Sequence, residues 1–74
     1  EPGAQPGLTC HIEIDNEIGR TPREIAETTA RALRALAAQV EAGTLDDGFH
    51  PINILSGDEI GRIYIDWHAT IYDR

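Results

Sequence analysis

One cysteine, three histidines and several acids are the side chains of this chain that could carry chemistry. Cys10 and His11 are adjacent, while His50 and His68 lie much further along the chain. Neighbouring residues of a strand point to opposite faces, so Cys10 and His11 cannot share a metal ion or act as nucleophile and base. We therefore expect Cys10 to be a small core residue and the histidines to be ordinary surface residues.

The remaining arrangements also argue against catalysis. His11 and His68 could bind a divalent ion together with Asp66, but their spacing matches no metal-binding signature. Further acids lie in predicted loops: Asp46, Asp47, Asp58 and Glu59. They do not form a paired catalytic set, and none of Gly48, Gly57 and Gly61 lies between a strand and a helix start, as a phosphate loop requires. The sequence therefore predicts no enzyme, no cofactor and no metal.

The chain is short and acidic. It has 74 residues, with 13 Asp and Glu against 6 Lys and Arg, and a net charge of -7. A single domain of this size has a marginal core, which oligomerisation often supplements. The negative charge disfavours nucleic acid as a partner, and no apolar run is long enough to span a membrane. A lone cysteine forms no internal disulfide, and we expect a cytoplasmic protein.

A long amphipathic helix is predicted between Thr21 and Gly43. The Thr21-Pro22-Arg23-Glu24 sequence is a helix start, because Thr21 can accept from the Glu24 amide and Glu24 can reach back to Thr21. Gly43 suits a left-handed final position. Apolar or small residues recur on one side of this helix: Ile25, Thr29, Ala32, Leu33, Leu36 and Val40. This stripe requires a sheet to pack on.

Three strands surround this helix in the sequence. Residues 1–7, rich in Pro and Gly, predict a disordered tail or linker, and residues 8–74 predict a single domain. Leu8–Asp15 alternates between apolar and polar residues, as a half-buried strand does. Pro51 opens a short second strand that ends at Leu55. Phe49, just before it, is expected to lie under the helix end.

The last strand is predicted to be the longest. It follows a hairpin turn at residues 56–59 and extends from Ile60 to about Tyr72. We expect it in the middle of the sheet, giving an α+β fold of βαββ type, with strand order 1-3-2 and one helix on one face. The first two strands are then parallel to each other. The predicted core comprises Cys10, Ile12, Ile14, Ile25, Leu33, Leu36, Val40, Ile52, Ile54, Ile63, Ile65 and Trp67.

The face of the sheet away from the helix is the candidate interaction face. Its candidate residues are His11, Glu13, Tyr64, Asp66, His68 and Tyr72. Three interpretations remain open: an ordinary solvated face, a surface for self-association, and a platform for a partner protein or a flat ligand. Single-stranded RNA is an unsuitable ligand, because Glu13, Asp15 and Asp66 would repel phosphate.

Residues 21–66 resemble a group of small βαββ proteins encoded by phages and prophages. The shared features are the helix Glu24–Gly43, the Asp47-Gly48 turn, the Pro51-Ile52 strand start and the hairpin Ser56–Gly61. The resemblance implies a phage accessory protein that acts by contact with a host or phage protein, and anti-defence proteins are one such class. We accordingly expect a small, acidic, non-enzymatic protein-interaction module that forms a homodimer. The partner, the host and the biological process are not predicted.

The order of elements also resembles that of the dodecins. Dodecins are small flavin-storing oligomers that run strand, helix, strand, strand, and their single Trp stacks on flavin. Trp67 is the one Trp of this chain, and we expect it on the helix side of the sheet. This resemblance implies the alternative function, an oligomeric binder of flavin or another flat ligand.

Overall fold

The computed structural model describes residues 6–68 and confirms the βαββ arrangement. The elements are β1 (Gly7–Ile14), α1 (Pro22–Ala42), β2 (Gly48–Asn53) and β3 (Glu59–His68). The strands form one sheet in the order β1-β3-β2, and both outer strands are antiparallel to β3. It follows that β1 and β2 are parallel to each other, as predicted, and that the fold class is α+β.

Some sequence-based predictions fall on residues 1–5 and 69–74, which lie outside the described part of the chain. They include most of the predicted tail, the far end of the last strand, and Tyr72. Within the described part, β1 begins at Gly7, one residue earlier than the predicted strand start.

Local hydrogen bonds fix both ends of α1. The Oγ1 of Thr21 accepts from the amide of Glu24 at 3.1 Å, and the Glu24 side chain accepts from the amide of Arg20 at 2.8 Å. The reciprocal bond was expected at Thr21 and instead lies one residue earlier. Gly43 closes the helix with a left-handed φ of 72° and donates to the carbonyl of Val40.

The core is small and centres on β3. The buried residues are Ala32, Leu36, Ile52, Ile54, Ile60, Ile63 and Ile65. Ile63 and Ile65 are the most enclosed, with 1% and 0% of their surface exposed. Leu8, Ile14, Val40 and Trp67 pack against this cluster from its margin. The sequence therefore located the centre of the core correctly.

Three predicted core residues are exposed instead. Cys10 is exposed, and Ile12 and Leu33 keep 51% and 41% of their surface accessible. The orientation of the two strand residues is nevertheless as predicted, because Cys10 lies opposite the fully buried Ile65 and Ile12 lies opposite Ile63. A helix about 10 Å across covers roughly two strands spaced about 4.8 Å apart. Since α1 lies closest to β2, it leaves the middle of the inner side of β1 uncovered at Cys10 and Ile12.

A bulge at the start of β3 explains the burial of Ile60. Ile52 pairs with Gly61 and Asn53 pairs with Glu59, so Ile60 has no partner on β2. A bulge re-aims the side chain of its extra residue, and Ile60 is turned into the core with 4% exposed. Strict alternation from Ile63 would have placed Ile60 on the opposite side, which is why it was absent from the predicted core.

Candidate functional site

The side of the sheet away from α1 is the open face. Residues directly opposite each other in antiparallel strands share a face, so the pairing registers define its membership. The open face comprises Thr9, His11 and Glu13 of β1, Arg62, Tyr64, Asp66 and His68 of β3, and Phe49 and Pro51 of β2. Five of the six predicted candidates belong to it. The sixth, Tyr72, lies outside the described residues.

Aromatic rings cross the middle of the open face. The ring centroids of Phe49 and Tyr64 are 5.0 Å apart with the planes tilted by 50°, and those of His11 and Tyr64 are 6.3 Å apart with a 48° tilt. These rings come from all three strands, and Tyr64 stands between the other two. Phe49 keeps 65% of its surface exposed although it is fully apolar. The rings therefore form a continuous, accessible row, called the aromatic row below.

One cation connects the aromatic row to an acid. The guanidinium carbon of Arg62 lies 5.2 Å from the ring centroid of Phe49, within the range of a cation–π contact. Its Nε lies 3.5 Å from Oε1 of Glu13. Both charged side chains are mostly exposed, so the ion pair adds little stability. Its effect is to orient Arg62 between the ring and the carboxylate.

The opposite end of the open face is polar. Thr9 Oγ1 and His68 Nε2 are 2.7 Å apart and hydrogen-bonded, and the tautomer of the imidazole decides which atom donates. Asp66 lies opposite Thr9 and is half-buried. Hydroxyl, imidazole and carboxylate groups thus border the aromatic row on this side. The arrangement offers ring faces and hydrogen-bonding groups to a ligand.

Phe49 and Arg62 are members of this site that the candidate list omitted. Phe49 was expected under the helix end, and that prediction is wrong. The strand β2 begins at Gly48 rather than after Pro51, so Phe49 falls in phase with Pro51 and opposite Tyr64. The alternation of side chains along β2 could have revealed this position. If Ile52 points toward the helix and the strand extends back to residue 49, Phe49 must point to the open face.

Trp67 lies on the other side of the sheet, as expected. Its indole Nε1 donates to the carbonyl of Leu45 at 3.1 Å, and its backbone amide donates to Oδ1 of Asp47 at 2.9 Å. The side chain packs against the hydrophobic core. The indole is therefore part of the attachment between the loop after α1 and the end of β3.

The described residues, 6–68, contain neither a candidate metal cluster nor a candidate membrane-spanning helix. In that range, no three His, Cys, Asp or Glu side chains are grouped so that they could hold a metal ion. None of the helical residues described provides a stretch with the length and apolarity needed to cross a membrane.

Comparison with protein-family models, with curated protein sequences and with solved structures found no match to this chain.

Proposed function

We propose that this chain is a small, acidic, non-enzymatic protein-interaction module that binds a partner protein through its open face. The observation that carries the proposal is the aromatic row, in which Phe49 stays 65% exposed while its ring contacts Tyr64. Exposed aromatic side chains in contact are typical of the residues that dominate binding energy at protein interfaces.

The charge of the chain indicates the kind of partner. The net charge is -7, and acids border the aromatic row at Glu13 and Asp66. Complementary potentials favour encounter and register between proteins, so a partner with a basic surface around an apolar patch fits this face. Arg62, held between Phe49 and Glu13, supplies one positively charged group that would donate hydrogen bonds to an acidic side chain of the partner.

The resemblance to small phage and prophage proteins supplies the biological setting of the proposal. In that setting the chain is a cytoplasmic accessory protein that acts on a host or phage protein, and interference with a host defence is one such action. The proposal also includes a homodimer, because the described part of the chain buries only seven apolar side chains and small domains often gain stability by association.

The binding role is tested by comparative capture. The wild-type chain, a Phe49→Ser/Tyr64→Ser double variant and a Leu55→Ser control are immobilised and exposed to bacterial lysates, and retained proteins are quantified by mass spectrometry. Leu55 is 84% exposed and lies in the turn after β2, away from the aromatic row. We expect a basic protein retained by the wild type and the control but lost from the double variant. Equal retention by all three would contradict the proposal.

The alternative is an oligomeric binder of flavin, which the dodecin-like order of elements suggested. The position of Trp67 does not favour it, because the indole is engaged with Leu45 and with the core. The absorbance spectrum of the purified protein distinguishes the two functions. A bound chromophore with flavin bands would contradict the protein-interaction proposal, whereas a spectrum with aromatic absorbance alone is the expected result.

A further inference from the structure

The two edges of the sheet differ in how well they resist pairing with another strand. On β2, the backbone groups of Phe49 and Pro51 face outward, because Gly48, His50 and Ile52 are the residues that bond to β3. Because proline has no N–H, the outer edge of β2 lacks a hydrogen-bond donor at Pro51. The strand is also only six residues long and has a register shift at its end. A proline, a bulge and a short length are the usual protections of an edge.

The outer edge of β1 has none of these protections. The strand pairs with β3 over eight consecutive residues without a register shift, and it contains no Pro and no Lys. The amide of Asp15 donates to the carbonyl of Ile60 on β3. Every second residue before Asp15 therefore also directs its backbone N–H and C=O toward β3, and the residues between them direct theirs to the outer edge. The outward backbone groups belong to Leu8, Cys10, Ile12 and Ile14, which we call the edge strip.

The side chains of the edge strip lie on the helix side of the sheet, where α1 does not cover the middle of β1. Cys10 and Ile12 are exposed there, and no side chain of the strip is charged. On α1, Arg31 and Ala35 line a groove with Ile54, so Leu33 occupies the opposite flank of the helix, toward β1. It is 41% exposed. The same four residues thus combine open backbone groups with an uncovered apolar surface.

We propose that the edge strip is where a second copy of this chain pairs, β1 against β1 in antiparallel orientation, to form a six-stranded sheet. The inference rests on the homodimer of the proposed function and locates its interface. A two-fold axis perpendicular to the sheet keeps both helices on the same side, so the apolar side chains of the two strips become neighbours.

The edge strip selects a register for this pairing, because His11 lies at its centre and only an axis there pairs all four strip residues with the strip of the second copy. With His11 on the two-fold axis, Cys10 lies opposite Ile12 of the second copy, and Leu8 lies opposite Ile14 of the second copy. Glu13 then lies opposite Thr9 of the second copy and diagonal to its His11, so no like charges face each other. A second copy of β1 is a suitable partner for this edge, because it has the same length, the same alternation of apolar and polar residues, and no proline.

The interface is tested first by light scattering after size exclusion over a concentration series. We expect a wild-type dimer and, for Ile12→Lys, a dissociation constant at least about tenfold higher, because a charge would stand at the pairing edge. Leu55→Lys is the matched control, since it introduces the same charge at an exposed Leu away from β1. It should dimerise like the wild type. Circular dichroism checks that each variant is folded.

Oxidative cross-linking tests the register independently of the lysine variant. On the axis, the two copies of residue 11 form a pair without hydrogen bonds, whose Cα atoms are about 4.5 Å apart and within disulfide range. A Cys10→Ser/His11→Cys variant should therefore give a covalent dimer, and a Cys10→Ser/Phe49→Cys control on the other edge should not. Failure of the first variant to cross-link would overturn this register.

The outcomes separate this inference from the proposed function. A dimer that persists in Ile12→Lys without cross-linking at residue 11 overturns the edge strip as the interface and leaves the homodimer standing. A wild-type chain that stays monomeric at every concentration overturns both the pairing and the homodimer. The chain would also stay monomeric if another segment of the chain or a different protein covered the outer edge of β1. Neither result affects partner capture by the open face.

Discussion

Phe49 on β2 and Tyr64 on β3 meet across the open face of the sheet, with ring centroids 5.0 Å apart and planes tilted by 50°. Tilted ring pairs at this distance attract each other beyond the effect of buried area. Phe49 is nevertheless 65% exposed, so most of its surface makes no contact with the described residues. The pair therefore has a small effect on stability and a large accessible area for a partner.

A double-mutant cycle measures the ring contact itself. Phe49→Ala, Tyr64→Ala and the double variant are compared with the wild type by urea unfolding. We expect a coupling free energy of about 0.5–1.5 kcal/mol, the usual range for aromatic pairs. A coupling free energy indistinguishable from zero would mean that the two rings are not in contact in solution.

Gly61 is predicted to be intolerant of any side chain. A Cβ atom at this position would collide with the carbonyl oxygen of Glu13 and approach the backbone of Ile14, both on the paired strand β1. Because neither group is a flexible side chain end, Gly61→Ala must push β1 away from β3. We expect a loss of about 1–3 kcal/mol in the free energy of unfolding, as for other overpacked sites.

Gly7→Ala is the control for this substitution. Gly7 also lies in the β1–β3 pairing, but a Cβ there would be 3.6 Å from the nearest atom of His68, which is ordinary contact. Its unfolding free energy should change by no more than about 0.5 kcal/mol. If both alanine variants were equally stable, the close approach of β1 to Gly61 would be contradicted.

Asn16 is predicted to attach the end of β1 to α1. Its side-chain amide donates to Oγ1 of Thr29 at 2.8 Å and to Oγ1 of Thr28 at 3.2 Å, and its oxygen accepts from the amide of Ile18 at 3.0 Å. The residue is half-buried. We expect Asn16→Ala to lower the unfolding free energy by about 1–2 kcal/mol, because the amide of Ile18 and the hydroxyl oxygens of Thr28 and Thr29 each lose a hydrogen bond.

Asn53→Ala provides the comparison, since Asn53 is an exposed asparagine at the end of β2. Its effect should remain within about 0.5 kcal/mol. Urea unfolding followed by the fluorescence of Trp67 reports on both variants. Equal effects of the two substitutions would argue against a specific attachment at Asn16.

The local features of this fold were predictable from the sequence. Which part of the sheet the helix covers was not. Thr21 and Gly43 define both ends of α1 through hydrogen bonds with their own neighbours, and such signals are visible in a short stretch of sequence. Alternation likewise gave the correct side for Cys10 and Ile12. It does not reveal whether anything covers that side, because coverage depends on where the helix lies over the sheet.

The candidate site was predicted in part for a similar reason. His11, Glu13, Tyr64, Asp66 and His68 follow from the regular alternation of two long strands, and they share the open face. Phe49 was missed because Pro51 looked like the start of β2, whereas a proline is tolerated inside an edge strand when its nitrogen faces outward. Placing Phe49, the most exposed ring of the site, therefore required the correct start of β2, and short stretches of sequence indicate strand boundaries only weakly.

Amide hydrogen exchange resolved by residue tests the pairing of β1 most directly. The amides of His11 and Glu13 face β3 and should be protected at every concentration, whereas those of Cys10 and Ile12 face the outer edge. We expect Cys10 and Ile12 to exchange rapidly in dilute protein and to become protected as concentration rises and two copies pair. Rapid exchange of both amides at all concentrations would contradict the dimer edge.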